Sequence, residues 1–309
     1  MNVCIIGSYA KALVMTADRI PLAGETLMGY DYRGTYGGKG SDMAVQAARL
    51  GTAVSYVGVV GKDSFGQEFI DLMKEEGIDT RFLRVTTEQP TGTGFIIKDK
   101  NARNIIVVAA GANDLFNEKD VDAAEEAINA ANVVLAQLEI PLTTALYAMK
   151  KGNEAGKITI LNPAPAVDLT GYDLSSVSIL TPNETEARIS AGLPADSPLS
   201  NQEVANILLK TGCGCVAMTL GDKGAAVFTA DESFEVASYP IEVVDSNGAG
   251  DSFNAALAAT LASGATLRES IHRANATAGL CCTRWETVPS YHTKQEVDEF
   301  IQTQQKGGK

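Results

Sequence analysis

The sequence predicts an α/β protein, a doubly wound central sheet with a small discontinuous β-sheet lid. Three observations carry that expectation. Apolar runs of strand length alternate with helix-period segments over most of the 309 residues, the pattern of a parallel sheet with crossover helices. Two stretches, 13–36 and 91–109, break the alternation with short strand-like segments that suit a separate antiparallel sheet. No linker, repeat or low-complexity tract divides the chain into independent parts. The main α/β domain is therefore expected from residues 1–12, 37–90 and 110–309, and the lid from 13–36 and 91–109.

In chain order, the buried-strand candidates are 3–6, 53–60, 133–135, 158–161, 177–180 and 216–220, each a short apolar run. Helical periods fall between them at 41–50, 64–76, 118–130, 143–151, 184–190 and 201–210. The alanine-rich stretch 250–261 carries Phe253, Leu257 and Leu261 at i, i+4, i+8, so one stripe faces a core, and a further helix is expected over 267–281. In the second irregular stretch, strands at 94–97 and 104–108 flank Lys98-Asp99-Lys100-Asn101, which reads as a hairpin connection. Residues 304–309 read as a frayed tail.

With 45% hydrophobic and 20% charged residues, the chain is composed as a globular protein and not as a disordered one. Its 25 basic and 38 acidic residues give a net charge of −13, which offers no global attraction for nucleic acid or anionic lipid. No apolar run reaches the about 18 residues of a membrane span, and the first residues read as a buried strand and not a secretion signal, so a cytoplasmic location is expected. Cys4, Cys213, Cys215, Cys281 and Cys282 lack paired C-x-x-C spacing and read as reduced packing residues. His272 and His292 are too few and too far from the cysteines to suggest a metal centre.

The segment 243–254 is the most informative. A strand-like approach, Val243-Val244-Asp245-Ser246, runs into Asn247-Gly248-Ala249-Gly250 and opens a helix, so backbone N–H groups at a positive helix end converge on one spot. Asp251 follows in the first helical turn, where a carboxylate beside a transferring phosphoryl group could accept a hydroxyl proton. The alternative is that Asp251 only complements the helix dipole. A second glycine-rich turn, Tyr36-Gly37-Gly38-Lys39-Gly40-Ser41-Asp42, also leads into a helix; it fits neither G-x-x-x-x-G-K-[ST] nor G-x-G-x-x-G.

Together these turns resemble the two signature regions of the ribokinase-like (PfkB) carbohydrate kinases. Further landmarks match in order: Ala110-Gly111-Ala112-Asn113, Gln137-Leu138-Glu139, 161–166 (Leu-Asn-Pro-Ala-Pro-Ala), 181–186 (Thr-Pro-Asn-Glu-Thr-Glu), Thr219-Leu220-Gly221, Thr283-Arg284 and Pro289-Ser290. The resemblance covers nearly the whole chain. It implies a ribokinase-like fold that binds ATP, a lid over the sugar site and, as is common in the family, a homodimer formed through that lid.

By motif position, the resemblance makes Asp251 the general base and Asn247, Gly248, Ala249 and Gly250 the anion hole. Gly38, Lys39, Asp42, Glu139 and Ala12 fall on the substrate side. Asn183 and Glu186 match an N-x-x-E pattern that organises Mg²⁺, Thr219 and Gly221 line the nucleotide site, and Asn275 lies on its adenosine side. Asp245, Asn247, Cys281, Arg284, Glu286 and Ser290 match the positions at which many members hold K⁺, although Glu286 stands for a glycine and Trp285 for a lysine of the pattern.

The substrate end departs from that pattern. Ala10 and Ala12 occupy the positions of an Asn-x-Asp whose polar groups hold sugar hydroxyls, and Asp42 occupies that of an asparagine, while Glu139 retains the other sugar-side carboxylate. Lys11 is open to two readings, a new polar contact or a surface residue. The expected function is ATP-dependent phosphorylation of a hydroxyl on a small sugar or sugar-like substrate, with plain ribose disfavoured. The alternatives are a nucleoside kinase of the same fold and a non-catalytic sugar-binding or regulatory homologue.

Overall fold

The computed structural model describes residues 1–100 and 103–307. Its main body is a nine-stranded sheet. At its centre β1 (Asn2–Ile6) pairs in parallel with β4 (Ala53–Gly61) on one side and β8 (Val133–Gln137) on the other. Outward from β4 lies β5 (Asp79–Thr86); outward from β8 follow β9 (Ile158–Asn162), β10 (Ile179–Leu180) and β11 (Val216–Thr219), all parallel. The antiparallel strands β12 (Ala225–Phe228) and β13 (Ser233–Val236) close that edge.

Strand alternation divides the core in two. Val3 and Ile5 join the cluster with Val45, Phe253 and Ile271 on one face, whereas Cys4 and Ile6 join Val134, Met149 and Leu208 on the other. The first face is covered by α1 (Lys39–Arg49), α8 (Ala249–Ala262) and α9 (Leu267–Cys281). Helix α8 is buried on nearly all sides and not only along the stripe of Phe253, Leu257 and Leu261, which explains its alanines: small side chains let α1 and α9 approach its flanks. Among the described residues no helix is long and apolar enough to cross a membrane.

The second sheet has four strands in the order β3-β2-β6-β7, formed by β2 (Ala10–Ala17), β3 (Tyr30–Gly37), β6 (Gly92–Asp99) and β7 (Asn104–Ala109). Central β2 is parallel to β6 and antiparallel to β3, so this sheet is mixed and not the antiparallel one expected, since β2 and β6 come from distant segments and no hairpin joins them. Strand β2 starts at Ala10, ahead of the boundary expected between residues 12 and 13, so Ala10 and Ala12 belong to this sheet and not to the main one. The crossing from β1 into β2 demands glycine: a Cβ on Gly7 would lie 2.2 Å from Gln137 Nε2 and 2.7 Å from Gly40 Cα.

Several elements differ from the sequence expectation. The expected helix 118–130 is two, α3 (Glu118–Ala123) and α4 (Glu125–Ala130), hinged at Ala124 with φ −96° and ψ 13°; no proline or glycine marks the break. Strands β5, β12 and β13 carry too weak a pattern to stand out, because β5 and β13 are edges whose exposed faces hold charges such as Arg81, Arg84 and Glu235. The expected frayed tail is helical through Gly307 in α10 (Lys294–Gly307), and 308–309 lie outside the described residues. Asn101 of the expected hairpin connection also lies outside them.

Candidate active site

Because β1, β8, β9, β10 and β11 are parallel, their carboxyl ends meet on one edge of the sheet, where clefts of this architecture form. Leaving β1, Ser8 meets the glycine turn before α1. Gly38 has φ +94°, and a Cβ there would sit 2.8 Å from both Ala10 N and Tyr9 Cα, so only glycine closes the turn against β2. Glu139, just past β8, clamps the junction: its Oε2 accepts from Ser8 Oγ at 2.6 Å and from the Lys39 backbone N–H at 2.8 Å. Asn113 secures the same crossing, accepting from Tyr9 N at 3.1 Å and donating to Tyr9 O at 2.8 Å.

The second turn approaches from the opposite side. Asp245 braces it, accepting from the N–H of Asn247 at 3.0 Å through Oδ1 and from that of Glu286 at 3.1 Å through Oδ2. Gly248 is the N-cap of α8 in a left-handed conformation, φ +78°, with the Tyr291 hydroxyl 2.7 Å from where its Cβ would be. At Gly250 a Cβ would meet nothing within 4 Å, because that position opens into a cleft. The Asn254 side chain holds this first turn by donating to Gly250 O at 2.9 Å and accepting from Thr181 Oγ1 at the end of β10.

Two clefts meet at this turn. The larger, about 640 Å³, lies between the small sheet and the main body and is lined by Ala12, Gly38, Lys39, Asp42, Glu139, Asn247, Gly248 and Asp251 among others. The smaller, about 390 Å³, is largely apolar and includes Thr219, Gly221, Ile241, Ala249, Gly250, Phe253 and Asn275. The N-terminus of α8 is thus a partition, with Gly248 and Asp251 on one side and Ala249 and Gly250 on the other. Free backbone N–H groups and the positive end of the helix dipole suit an anion there.

The electrostatics follow from two buried acids, Asp42 and Asp251, and the half-buried Glu139 and Glu186 around one lysine. Lys39 Nζ stands 3.5 Å from Asp251 Oδ1, an ion-pair contact too long for a strong hydrogen bond. Burial pushes Asp251 up to about 6; Lys39 opposes this, while Glu139 and Glu186 add to it. The Asp251 charge in turn holds Lys39 above the ordinary lysine value. Asp42, 3% exposed, is driven well above the usual carboxylate range by burial first and then by Asp251 and Glu139. A carboxyl poised near 6 at a helix start can accept a proton near neutral pH.

The remaining positions singled out in the sequence fall around this centre. Asn183 and Glu186 form a reciprocal capping box at α6 (Glu184–Ser190), at 2.8 and 2.9 Å, and line neither cleft, although the Glu186 charge reaches both Lys39 and Asp251. A single parallel bridge to Asn183 places Thr219 beside them. Asn275 lines the smaller cleft, but its amide is spent on the carbonyls of Val236 and Ala237. Cys281 is buried, with Sγ 3.1 Å from Ser290 Oγ and 3.7 Å from Asn247 O, and Arg284 is paired with Glu296 at 2.9 Å. Among the described residues no three His, Cys, Asp or Glu side chains form a metal cluster.

Three features escaped the sequence reading. Lys11 is neither a cleft contact nor a surface residue: it is buried on the opposite face of β2, paired with Glu68 and lying over the Tyr36 and Phe65 rings. Glu286 adopts φ +69° and ties the loop to the lid, with Arg33 at 2.9 Å and Thr35 Oγ1 at 3.2 Å. Tyr291 buttresses Gly248 with a buried hydroxyl that has no hydrogen-bond partner. Only the departure of Glu286 from the family's glycine was visible beforehand; nothing in the sequence marks Tyr291 or the Lys11 pairing.

The model of the pfkB family carbohydrate kinases matches residues 1–294. Mouse ribokinase is 37% identical over 96% of this chain and 93% of its own length. The crystal structure of ribokinase from Thermotoga maritima superposes with a TM-score of 0.87 at 28% identity, covering 97% of this chain and 99% of that one. The structure of Arabidopsis thaliana ribokinase complexed with ribose and ATP gives a TM-score of 0.85 at 27% identity, covering 97% of this chain and 98% of that one.

Proposed function

Because this chain belongs to the pfkB family of carbohydrate kinases, we propose that it transfers the γ-phosphoryl group of ATP to a hydroxyl of a small sugar or sugar-like acceptor held under the lid, with Asp251 as general base. The observation that carries this reading is the partition: one helix N-terminus separates an apolar cleft from a polar one, with Gly250 open on one side and Asp251 on the other. The adenosine part suits the smaller cleft beside Thr219, Gly221 and Asn275, and the acceptor suits the larger.

In this reading Asp251 takes the acceptor's proton as the hydroxyl oxygen attacks, and N–H groups of the turn that Asp245 and Ser246 do not engage, those of Gly248 and Gly250, hold the phosphoryl oxygens. Lys39, beside Asp251, keeps the base ionised and adds positive charge on the acceptor side. Glu139 fixes the glycine turn that presents Lys39, and the lid excludes water that would otherwise accept the phosphoryl group. Mg²⁺ neutralises phosphate charge when bound. Without a protein cage among the described residues, it would be held mainly by the phosphates, with Asn183 and Glu186 ordering its waters.

A monovalent cation such as K⁺ would sit at the junction of the loops carrying Asp245, Asn247, Cys281, Arg284, Glu286 and Ser290, which Asp245 and Cys281 already tie together. It would steady the glycine turn without touching the acceptor. Ribose itself is disfavoured, since Ala10 and Ala12 line the acceptor cleft without a hydrogen-bonding group. The test is ATP consumption by the purified protein across sugars, polyols and nucleosides. Turnover with a sugar-like acceptor is expected; turnover confined to nucleosides would redirect the substrate class, and none with any acceptor would leave a binding or regulatory protein.

A further inference from the structure

The larger cleft has two unlike walls. Nearest the glycine turns its lid wall is made by Ala10, Ala12 and Val14 of β2, Ile96 of β6, and Ile106 and Val108 of β7, none of which can accept or donate a hydrogen bond through its side chain, while the polar Lys98 and Asn104, paired across β6 and β7, line it only at the far end of those strands. Lys11, the charged residue between the alanines, is turned to the other face and engaged by Glu68. Arg33 and Thr35, polar lid residues beside this wall, are taken up by Glu286. The opposite wall is polar, with Lys39, Asp42, Glu139 and Asp251.

On that wall Asp42 stands out. It lies in the first turn of α1, is 3% exposed, lines the cleft, and its Oδ1 has no hydrogen-bond partner. A buried carboxyl oxygen left unpaired is unfavourable, so a ligand that supplies a donor there gains the whole difference. We infer that the acceptor is an amphipathic alcohol, with hydroxyls along the edge that meets Asp42 and a hydroxyl-free hydrocarbon edge packed against the lid.

The inference deepens the kinase reading above and rests on it for the phosphorylation, but not for the binding preference. A fully hydroxylated ring placed here would strip water from hydroxyls on its lid side and give them no partner, whereas a C–H or methyl-bearing edge loses nothing. Asp42 sets the orientation, because it is buried and its side chain is bonded to neither turn, whereas Glu139 gives Oε2 to Ser8 and Lys39, and Asp251, whose Oδ1 also lacks a hydrogen bond, faces Lys39 Nζ at 3.5 Å.

The experiment uses matched acceptors that differ by one hydroxyl replaced by hydrogen or methoxy, measured by calorimetric binding and by kcat/KM on the wild type, Ala12→Asp and Asp42→Leu. For at least one position, the wild type should bind and turn over the substituted compound as well as its parent or better. Ala12→Asp should restore preference for the parent by about tenfold or more, and Asp42→Leu, which removes the acceptor oxygen, should weaken binding of every compound by about tenfold. If Ala12→Asp does not fold, Ala10→Asn serves the same purpose. Tenfold losses at every position in the wild type, or an unchanged preference in the folded lid variant, would overturn the inference while leaving the kinase reading intact. A binding preference for the substituted compound without any turnover would support it and sink the kinase reading instead.

Discussion

At the scale of single residues, the central pair is Asp251 and Lys39. Asp251 is held near 6 by burial against the pull of Lys39, so as a base it is ionised above that value and the rate should fall as pH drops through about 6. The same shift carries a stability cost: with a folded value above the ordinary 3.8, the contribution of Asp251 to folding is greatest below 3.8 and is lost as pH rises through about 6. Replacing Lys39 by Met removes the group that lowers Asp251, so the acid limb of the kcat/KM profile should move to higher pH. A limb that stays in place, or moves down, would show that another group titrates there. Asp251 was legible in the sequence because Gly-Ala-Gly-Asp fixes its place at a helix start. Its lysine partner was legible only as part of a motif, since their 3.5 Å contact depends on how α1 packs against α8.

At the scale of elements, the glycine turn of α8 and the link between lid and loop yield two expectations. At Gly250 a Cβ meets no protein atom within 4 Å, but a valine there would project into the space where, in the proposed kinase, backbone N–H groups receive phosphate. Gly250→Val should therefore keep its melting temperature within a few degrees and lose phosphoryl transfer by about 10²-fold or more. An unchanged rate, or an unfolded protein, would contradict the anion-hole role. Glu286 presents the converse case, since its left-handed backbone costs about 1 kcal/mol for a non-glycine residue while its side chain anchors the lid strand through Arg33 and Thr35. Glu286→Gly should change denaturant stability by less than about 1 kcal/mol, strain relief offsetting a half-exposed ion pair, yet raise KM for the acceptor as the lid loses its tether. An unchanged KM would mean that this contact does not govern the lid. Central strands and capped helices such as α6 and α9 were readable because burial and caps leave strong local signals. Edge strands β5 and β13 and the break at Ala124 were not, because tertiary packing decides them against weak local preference.

At the scale of the whole molecule, the lid turns one face to the cleft and the other outward, and the outward face carries Phe95, Ile105 and Val107, all substantially exposed. Flat apolar sheet surface of that kind is an association liability unless covered, and a second copy of the lid would cover it. Sedimentation should therefore give a dimer, and Val107→Glu should shift it toward monomer; a wild-type monomer at high concentration would remove the lid interface. The division into a large sheet and a small one was legible because the irregular segments interrupt the alternation, but its edge was misplaced at Ala10, where the strand begins before the sequence turns irregular. That small error bears on the proposed function, since it put the two alanines of the proposed acceptor wall in the main domain and not in the lid sheet.

The claim on which the rest depends is that Asp251 acts as the base at a partition between nucleotide and acceptor. The most direct measurement is the turnover of Asp251→Asn on whichever acceptor the wild type phosphorylates best, with nucleotide affinity determined in parallel. A fall of about 10²- to 10⁴-fold in kcat with nucleotide binding nearly unchanged is expected; turnover close to wild type would contradict the role of Asp251 as base.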